Sequence, residues 1–111
     1  MNIDCNTYFN LSLDYQCKNN KYKALYDMQY NGIPKLLLFS GIASIVYDSD
    51  SIFESKYKID YYDYGCIGES EDCMKDYNME VFKYLDKEFG ISWRKEIRPD
   101  VIGLKDYIEI R

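Results

Sequence analysis

The sequence predicts a small single α+β domain spanning residues 1–111, with a mostly antiparallel sheet (a meander) from the first half packed against one long helix near residues 72–89. Three observations carry that expectation. Apolar and polar residues alternate over two stretches before residue 31. Asn31-Gly32 stands where a tight hairpin turn would join two strands. Beyond residue 70 the apolar period lengthens from two to that of a helix.

The first alternating stretch runs from Phe9 to Cys17, with Phe9, Leu11, Leu13, Tyr15 and Cys17 apolar and Asn10, Ser12, Asp14 and Gln16 between them. That is the period of a half-buried strand. After Lys18-Asn19-Asn20 the pattern resumes. Tyr22, Ala24, Tyr26, Met28 and Tyr30 share one face, with Leu25 the single exception. Pro34 suits the first position of a third strand, Lys35–Phe39. Ser40-Gly41 could then turn the chain into a fourth, Ile42–Tyr47. A helix competes for residues 34–47, because Pro34 also fits a first helical position and Leu37, Leu38, Ile42, Ile45 and Val46 make an apolar stripe. Gly41 in its middle would cost that helix about 1 kcal/mol, and the strand reading is preferred.

In the second half Asp48-Ser49-Asp50-Ser51 offers capping groups for a short helix from Ile52 to about Tyr57. A tyrosine-rich extended segment follows from Ile59 to Tyr64. The long helix is expected over Asp72–Phe89. Ser70, Glu71 and Asp72 favour its start, and Gly90 suits its end. Met74, Tyr77, Asn78, Val81, Phe82, Leu85 and Phe89 form its apolar face, while Lys75, Asp76, Glu80, Lys83, Asp86 and Lys87 take the other. Ser92 can cap a shorter helix holding Trp93 and Ile97, which Pro99 stops. Asp106–Arg111 alternates again and reads as a last strand.

Composition narrows function mainly by exclusion. The chain has 111 residues, 47% hydrophobic and 30% charged, in the range of one folded domain. Its longest apolar run, Leu36–Phe39, is far short of a membrane span. Met1–Cys5 lacks the basic start and apolar stretch of a signal peptide, so a cytoplasmic location is expected. Histidine is absent. That removes the commonest general base and metal ligand, and no enzyme activity is expected. No glycine-rich phosphate loop appears. Asp48-x-Asp50-x-x-x-Glu54 has neither the ligand spacing nor the central glycine of a calcium loop, and helix capping explains it better. The four cysteines, Cys5, Cys17, Cys66 and Cys73, have no zinc or redox spacing. Cys66 and Cys73 could close a short disulfide loop, but free thiols fit a reducing cytoplasm better. No metal and no cofactor is expected.

Charge and aromatics then point to one segment. Between Asp48 and Asp76 nine acidic residues stand against Lys56, Lys58 and Lys75, a net −6 in a chain whose total is −5. Within it Asp60, Tyr61, Tyr62, Asp63, Tyr64, Glu69 and Glu71 interleave carboxylates with rings. Such a surface suits a partner rich in Lys and Arg: the field steers encounter while the rings supply buried area. The plainer alternative is a solvated rim whose alternate tyrosines turn inward. Codon bias accounts for much of the total of 13 tyrosines, so their placement carries more weight than their number. Strand alternation exposes either Tyr61, or Tyr62 with Tyr64. Asn78 falls on the apolar helix face, where its amide should bond a neighbouring backbone segment. The basic group Arg94, Lys95 and Arg98 beside Trp93 is offset by Glu96 and is thin for a nucleic-acid surface.

The function expected from these features is a small acidic interaction module: an inhibitor-type or immunity-type protein, or a phage anti-defence protein, that blocks a basic surface patch on a partner protein. Direct nucleic-acid or membrane binding is not expected. The alternative is a small-ligand-binding module with a tyrosine-lined pocket between sheet and helix.

Overall fold

A computed structural model describes residues 17, 19–39, 45–65 and 70–110. Their elements are helix α1 (Lys21–Tyr26), running into a π-helical turn (Asp27–Asn31); strand β1 (Lys35–Leu38); helix α2 (Asp48–Tyr57); strand β2 (Asp60–Asp63); the long helix α3 (Glu71–Phe89); and two short helices, α4 (Trp93–Glu96) and α5 (Leu104–Ile110). The small α+β domain with one long helix is present. The mostly antiparallel meander is not: β1 and β2 form a two-stranded parallel sheet, with Lys35 opposite Asp60 and Leu38 opposite Asp63. Parallel neighbours need a crossover connection, and α2 lies in it.

The long helix forms for the reasons its sequence gives. Ser70 Oγ accepts a hydrogen bond from the Cys73 amide at 3.3 Å. Glu71 and Asp72 place negative charge in the first turn, and Gly90 ends the helix at φ 75°. Its inner face buries Cys73, Met74, Tyr77, Asn78, Val81, Phe82 and Leu85. Around it pack Leu36, Leu37 and Leu38 of β1, Phe53 and Tyr57 of α2, and Trp93, Ile97, Val101, Leu104 and Tyr107. Each large apolar side chain so buried contributes roughly 1.5–3 kcal/mol. Phe89, expected on this face, is instead 39% exposed, with its ring edge-on to Tyr57.

β1 is the centre of the molecule. Its one edge pairs with β2. Its other edge is closed by side chains of α3 and by backbone at Val101 and Ile102, where Leu38 and Val101 form a single antiparallel bridge. Tyr77 Oη accepts from the Lys35 amide, and the Asn78 carboxamide bonds both the amide and the carbonyl of Leu37. Asn78 Nδ2 also donates to the Ile102 carbonyl at 2.8 Å, and the Ile102 amide donates to the Leu37 carbonyl. The buried amide thus bonds backbone, as its place on the apolar face suggested.

Several expectations are corrected. Residues 22–30 are helical, not a strand. The Asn20 side chain caps the helix by accepting from the Lys23 amide at 3.0 Å, and the helix buries only Ala24 and Asp27. Asn31-Gly32 is no hairpin turn; Gly32, at φ 80°, ends the π-helical turn with its amide on the Asp27 carbonyl. Ile45–Tyr47 carries no strand, and Ile42 to Ser44 fall outside the described residues. Asp106 to Ile110 belongs to α5, whose Leu104 and Tyr107 are three apart and both buried. Gly103 precedes α5 at φ 84°, where a Cβ would meet Lys75 Cγ at 2.9 Å. The strand expected from Phe9 to Cys17 lies outside the described residues except for Cys17 itself. Cys73 is bonded to Cys17, with Cα atoms 5.5 Å apart, which rules out a Cys66–Cys73 loop and a free Cys73 thiol.

Candidate functional site

β2 carries the acidic and aromatic residues, and strand geometry divides them. Asp60 and Tyr62 lie on one face of the strand and are exposed; Tyr61 and Asp63 lie on the other and are half-buried. Tyr61 is therefore the inward tyrosine. Its ring stacks on Phe53 at 5.3 Å, its amide donates to Glu54 Oε2 at 2.9 Å, and its hydroxyl accepts from the Arg98 amide. Burial pushes its hydroxyl pKa well above the ordinary tyrosine value. Asp63 turns back on its own loop, where Oδ1 accepts from the Gly65 amide at 2.8 Å.

The outward side is Tyr62 with its neighbours. Tyr62 is 47% exposed and its ring lies 4.6 Å from that of Tyr64. Tyr64 is half-buried and packs in part against the core, and its hydroxyl accepts from Asn19 Nδ2 at 2.8 Å. Lys35 Nζ sits 5.6 Å from the centre of the Tyr62 ring, so one cation is set into this face beside Asp60. Glu71 is exposed in the first turn of α3, on a separate element, and Glu69 lies outside the described residues. The structure thus brings Asp60, Tyr62 and Tyr64 onto one side of the sheet and sends Tyr61 and Asp63 to the other.

The groups behind β2 act as supports. Arg98 is 6% exposed and lies between two carboxylates. Nη1 donates to Asp50 Oδ2 at 2.9 Å, while Nε and Nη2 donate to Asp100 at 2.8 and 2.7 Å. Helix α2 begins at Asp48, four residues before the expected Ile52, so Asp48–Ser51 lie inside it rather than ahead of it. Asp50 Oδ2 reaches back from its first turn to accept from the Tyr47 amide, while the buried Asp50 Oδ1 has no partner. An unsatisfied acceptor costs about 1–3 kcal/mol, set here against two bonds on the other oxygen. The Asp100 carboxylate beside Arg98 raises the guanidinium pKa further.

A second, half-buried anion is one that the sequence pattern places on the outer face of α3. Asp86 in fact accepts from Trp93 Nε1, from Arg94 Nε and Nη2, and from Tyr107 Oη. Burial works to raise its pKa; the donors, Arg94 foremost, outweigh that and hold it below the usual carboxylate range. Of the basic group beside Trp93, Arg94 and Arg98 are engaged in this way and Lys95 is exposed. Among the described residues no three His, Cys, Asp or Glu side chains converge as a metal site. A shallow, open pocket is lined by Lys75, Met79, Asp106 and Glu109, with no tyrosine. No described helix is long and apolar enough to cross a membrane.

Sequence reasoning missed a second tyrosine surface. Tyr22, Tyr26 and Tyr30, expected to share one face of a strand with Ala24 and Met28, are 71%, 51% and 68% exposed on α1 and the π-helical turn. Asn20 as a cap and the four-residue tyrosine spacing were the available signals. No family model matches the chain, and comparisons with curated proteins and with solved structures found no match.

Proposed function

We propose that this chain is a non-catalytic protein-interaction module of the inhibitor or immunity type, presenting the face of Asp60, Tyr62 and Tyr64 to a basic patch on a partner protein. One observation carries the reading: Asp60 and Tyr62 stand exposed on the same side of β2, within the segment that holds the chain's excess negative charge. Carboxylates beside a ring offer steering and desolvated contact area together. Glu71 and Asp72, exposed at the start of α3, extend the acidic character beyond the strand. Tyr61 belongs to the support of this face, since it faces the core.

The carboxylates whose pKa is held below the ordinary range have structural partners. Asp86 is held by Arg94, Tyr107 and Trp93; Glu96 by Lys56 and Tyr57; Asp106 by Lys75. That supports binding over catalysis. Engagement of Arg94 and Arg98 within the fold likewise supports a protein partner over nucleic acid. The Cys17–Cys73 bond favours an oxidising setting over the cytoplasmic one suggested by the first residues. An antagonist acting there fits this reading as well as an immunity protein does.

The test is affinity capture with the full chain as bait, beside a variant carrying Asp60→Lys and Glu71→Lys. A stoichiometric protein bound through a Lys- and Arg-rich surface, and lost by the variant, supports the proposal. Equal retention by the charge-reversed bait overturns it.

A further inference from the structure

The outward face of α1 and its π-helical turn is more apolar than a solvated helix face ordinarily is. Tyr22, Leu25, Tyr26, Tyr30 and Ile33 are 71%, 44%, 51%, 68% and 49% exposed within twelve consecutive residues. Contiguous apolar surface on this scale marks an interaction site more often than a free surface. The helix beneath is firmly held. Ala24 is fully buried; Asp27, 2% exposed, accepts from Tyr77 Oη at 2.6 Å and from Lys23 Nζ at 2.7 Å. The bond from Cys17 to Cys73 ties the chain four residues before α1 to α3. The tyrosine rings are thus presented on a fixed support, with those of Tyr26 and Tyr30 4.9 Å apart.

We propose that this face is a two-fold interface between two copies of the chain, with the helices antiparallel and Tyr26 at the dyad. Three observations favour a second copy. The first is symmetry of pattern: Tyr-x-x-x-Tyr-x-x-x-Tyr reads alike in both directions, so an antiparallel arrangement sets Tyr26 against its equivalent and Tyr22 against Tyr30 of the second copy. The second is charge. Of the two cations of the helix, Lys21 lies at its N-terminal end, while Lys23 is paired with the buried Asp27 and sits 5.2 Å from the Tyr26 ring. Antiparallel pairing carries the two Lys21 side chains to opposite ends of the interface and leaves Lys23, neutralised by Asp27 of its own copy, near the dyad. Lys21, which already lies against the Tyr22 ring at 5.3 Å, then approaches Tyr30 of the second copy as a cation on a ring face. A parallel arrangement would set the lysines of the two copies together. The third is area. The five exposed apolar residues offer about 550 Å² per copy, or about 1,100 Å² in a dimer, close to the lower bound of roughly 1,200 Å² for specific interfaces before any polar rim is counted. The surface uses none of Asp60, Tyr62 or Glu71, so it and the proposed partner surface stand or fall separately.

Sedimentation equilibrium of the full chain in non-reducing buffer, from about 1 μM to about 1 mM, tests the interface. The expected result is a monomer–dimer equilibrium. Tyr26→Glu, which brings two carboxylates together at the dyad, should weaken it at least about tenfold. Ile52→Ser, at a 67% exposed position on α2, should leave it unchanged. Tyr26 is half-exposed, so the variant should keep the wild-type circular dichroism spectrum and melting curve; Tyr30→Ser, at a more exposed site, repeats the test independently. Monomer across the whole range, larger open-ended assemblies, or an equally tight dimer in Tyr26→Glu and Tyr30→Ser would overturn the proposal.

Discussion

Asn78 serves Leu37 as a strand would: Oδ1 accepts from the Leu37 amide at 2.8 Å and Nδ2 donates to the Leu37 carbonyl at 3.0 Å. The pair is fully buried, and 41 residues separate its members. One side chain thereby bonds both backbone groups of Leu37 on the side away from β2, between Tyr77 at the Lys35 amide and the backbone of Val101 and Ile102.

Replacing Asn78 should accordingly be costly. Asn78→Ala removes three buried hydrogen bonds and strands the Leu37 amide away from water, for an expected loss of about 3 kcal/mol or more. Asn78→Asp keeps the acceptor but buries a charge beside two carbonyls, and should be at least as damaging. Urea unfolding of both variants measures this. A midpoint within error of wild type would show that the carboxamide does not hold the strand.

The disulfide gives a second prediction. Joining Cys17 to Cys73 closes a loop with a sequence separation of 56. In the chain-entropy account such a loop is worth up to about 4 kcal/mol. The double variant Cys17→Ser, Cys73→Ser should therefore melt lower, by about 2–4 kcal/mol of stability. Non-reducing peptide mapping should find the Cys17–Cys73 cross-link in the wild-type chain. Its absence, or equal stability of the double variant, would count against the bond.

Acid sensitivity should depend on Asp86. Its pKa is lower in the folded chain than in the unfolded one, so near pH 4 the folded state binds fewer protons at this position. The stabilisation is complete above the unfolded value of about 3.9 and disappears as pH falls through the lower, folded value. Asp86→Asn should lower stability by about 3 kcal/mol at pH 7, since its bonds come from Arg94, Trp93 and Tyr107. The same substitution should flatten the loss of stability below about pH 4. An unchanged acid limb in thermal melts from pH 7 to pH 2 would sink this assignment.

At the proposed partner surface, reversing charge and truncating the ring should act on different rates. Asp60→Lys with Glu71→Lys should slow association and flatten its salt dependence, while Tyr62→Ala should mainly speed dissociation. Asp76→Lys, on the exposed side of α3, should change neither. Stopped-flow or surface-plasmon kinetics with the captured partner separates these effects. Loss of binding in the Asp76 variant alone would place the site on the helix.

The parts of the fold legible in the sequence are those where one pattern had one meaning. α3 was such a case: its cap, apolar face and terminal glycine agreed, and its bounds differ from the expected Asp72–Phe89 by one residue. α1 was not. Tyr22, Tyr26 and Tyr30 are spaced by four, and every multiple of four is a multiple of two, so a tyrosine stripe on a helix also satisfies a strand's alternation. Ala24 and Met28 filled the intervening even positions, though in the helix they turn to the other side, where Ala24 is buried. Leu25, the exception to the strand pattern, and Asn20, the cap, were the discordant signals. Leu36-Leu37-Leu38 held a different clue. An unbroken apolar run fits a strand buried on both faces, which is a property of parallel sheets rather than of a half-exposed meander.

At the site, alternation along β2 was legible: one set outward, the other inward. Which set faced outward was not, because it depends on Phe53 and Arg98, residues distant in the chain that receive the Tyr61 ring and hydroxyl. Asp86 was misplaced for a related reason. Its neighbours in sequence put it on the polar side of α3, but Trp93, Arg94 and Tyr107 fold back over that side and make it an interior anion.

The bond between Cys17 and Cys73 also has a topological consequence. It makes residues 17–73 a covalent ring, with β1, α2, β2 and the Asp60–Tyr62 face on the ring and most of α3 on the tail that leaves it. A single peptide cut anywhere inside the ring opens it without dividing the molecule, so the nicked chain keeps its mass until it is reduced. A cut beyond Cys73 leaves its fragment with no covalent link to the ring, held by packing alone. Proteolytic damage to the exposed strand would therefore leave the proposed contact residues tethered to the helix that supports them.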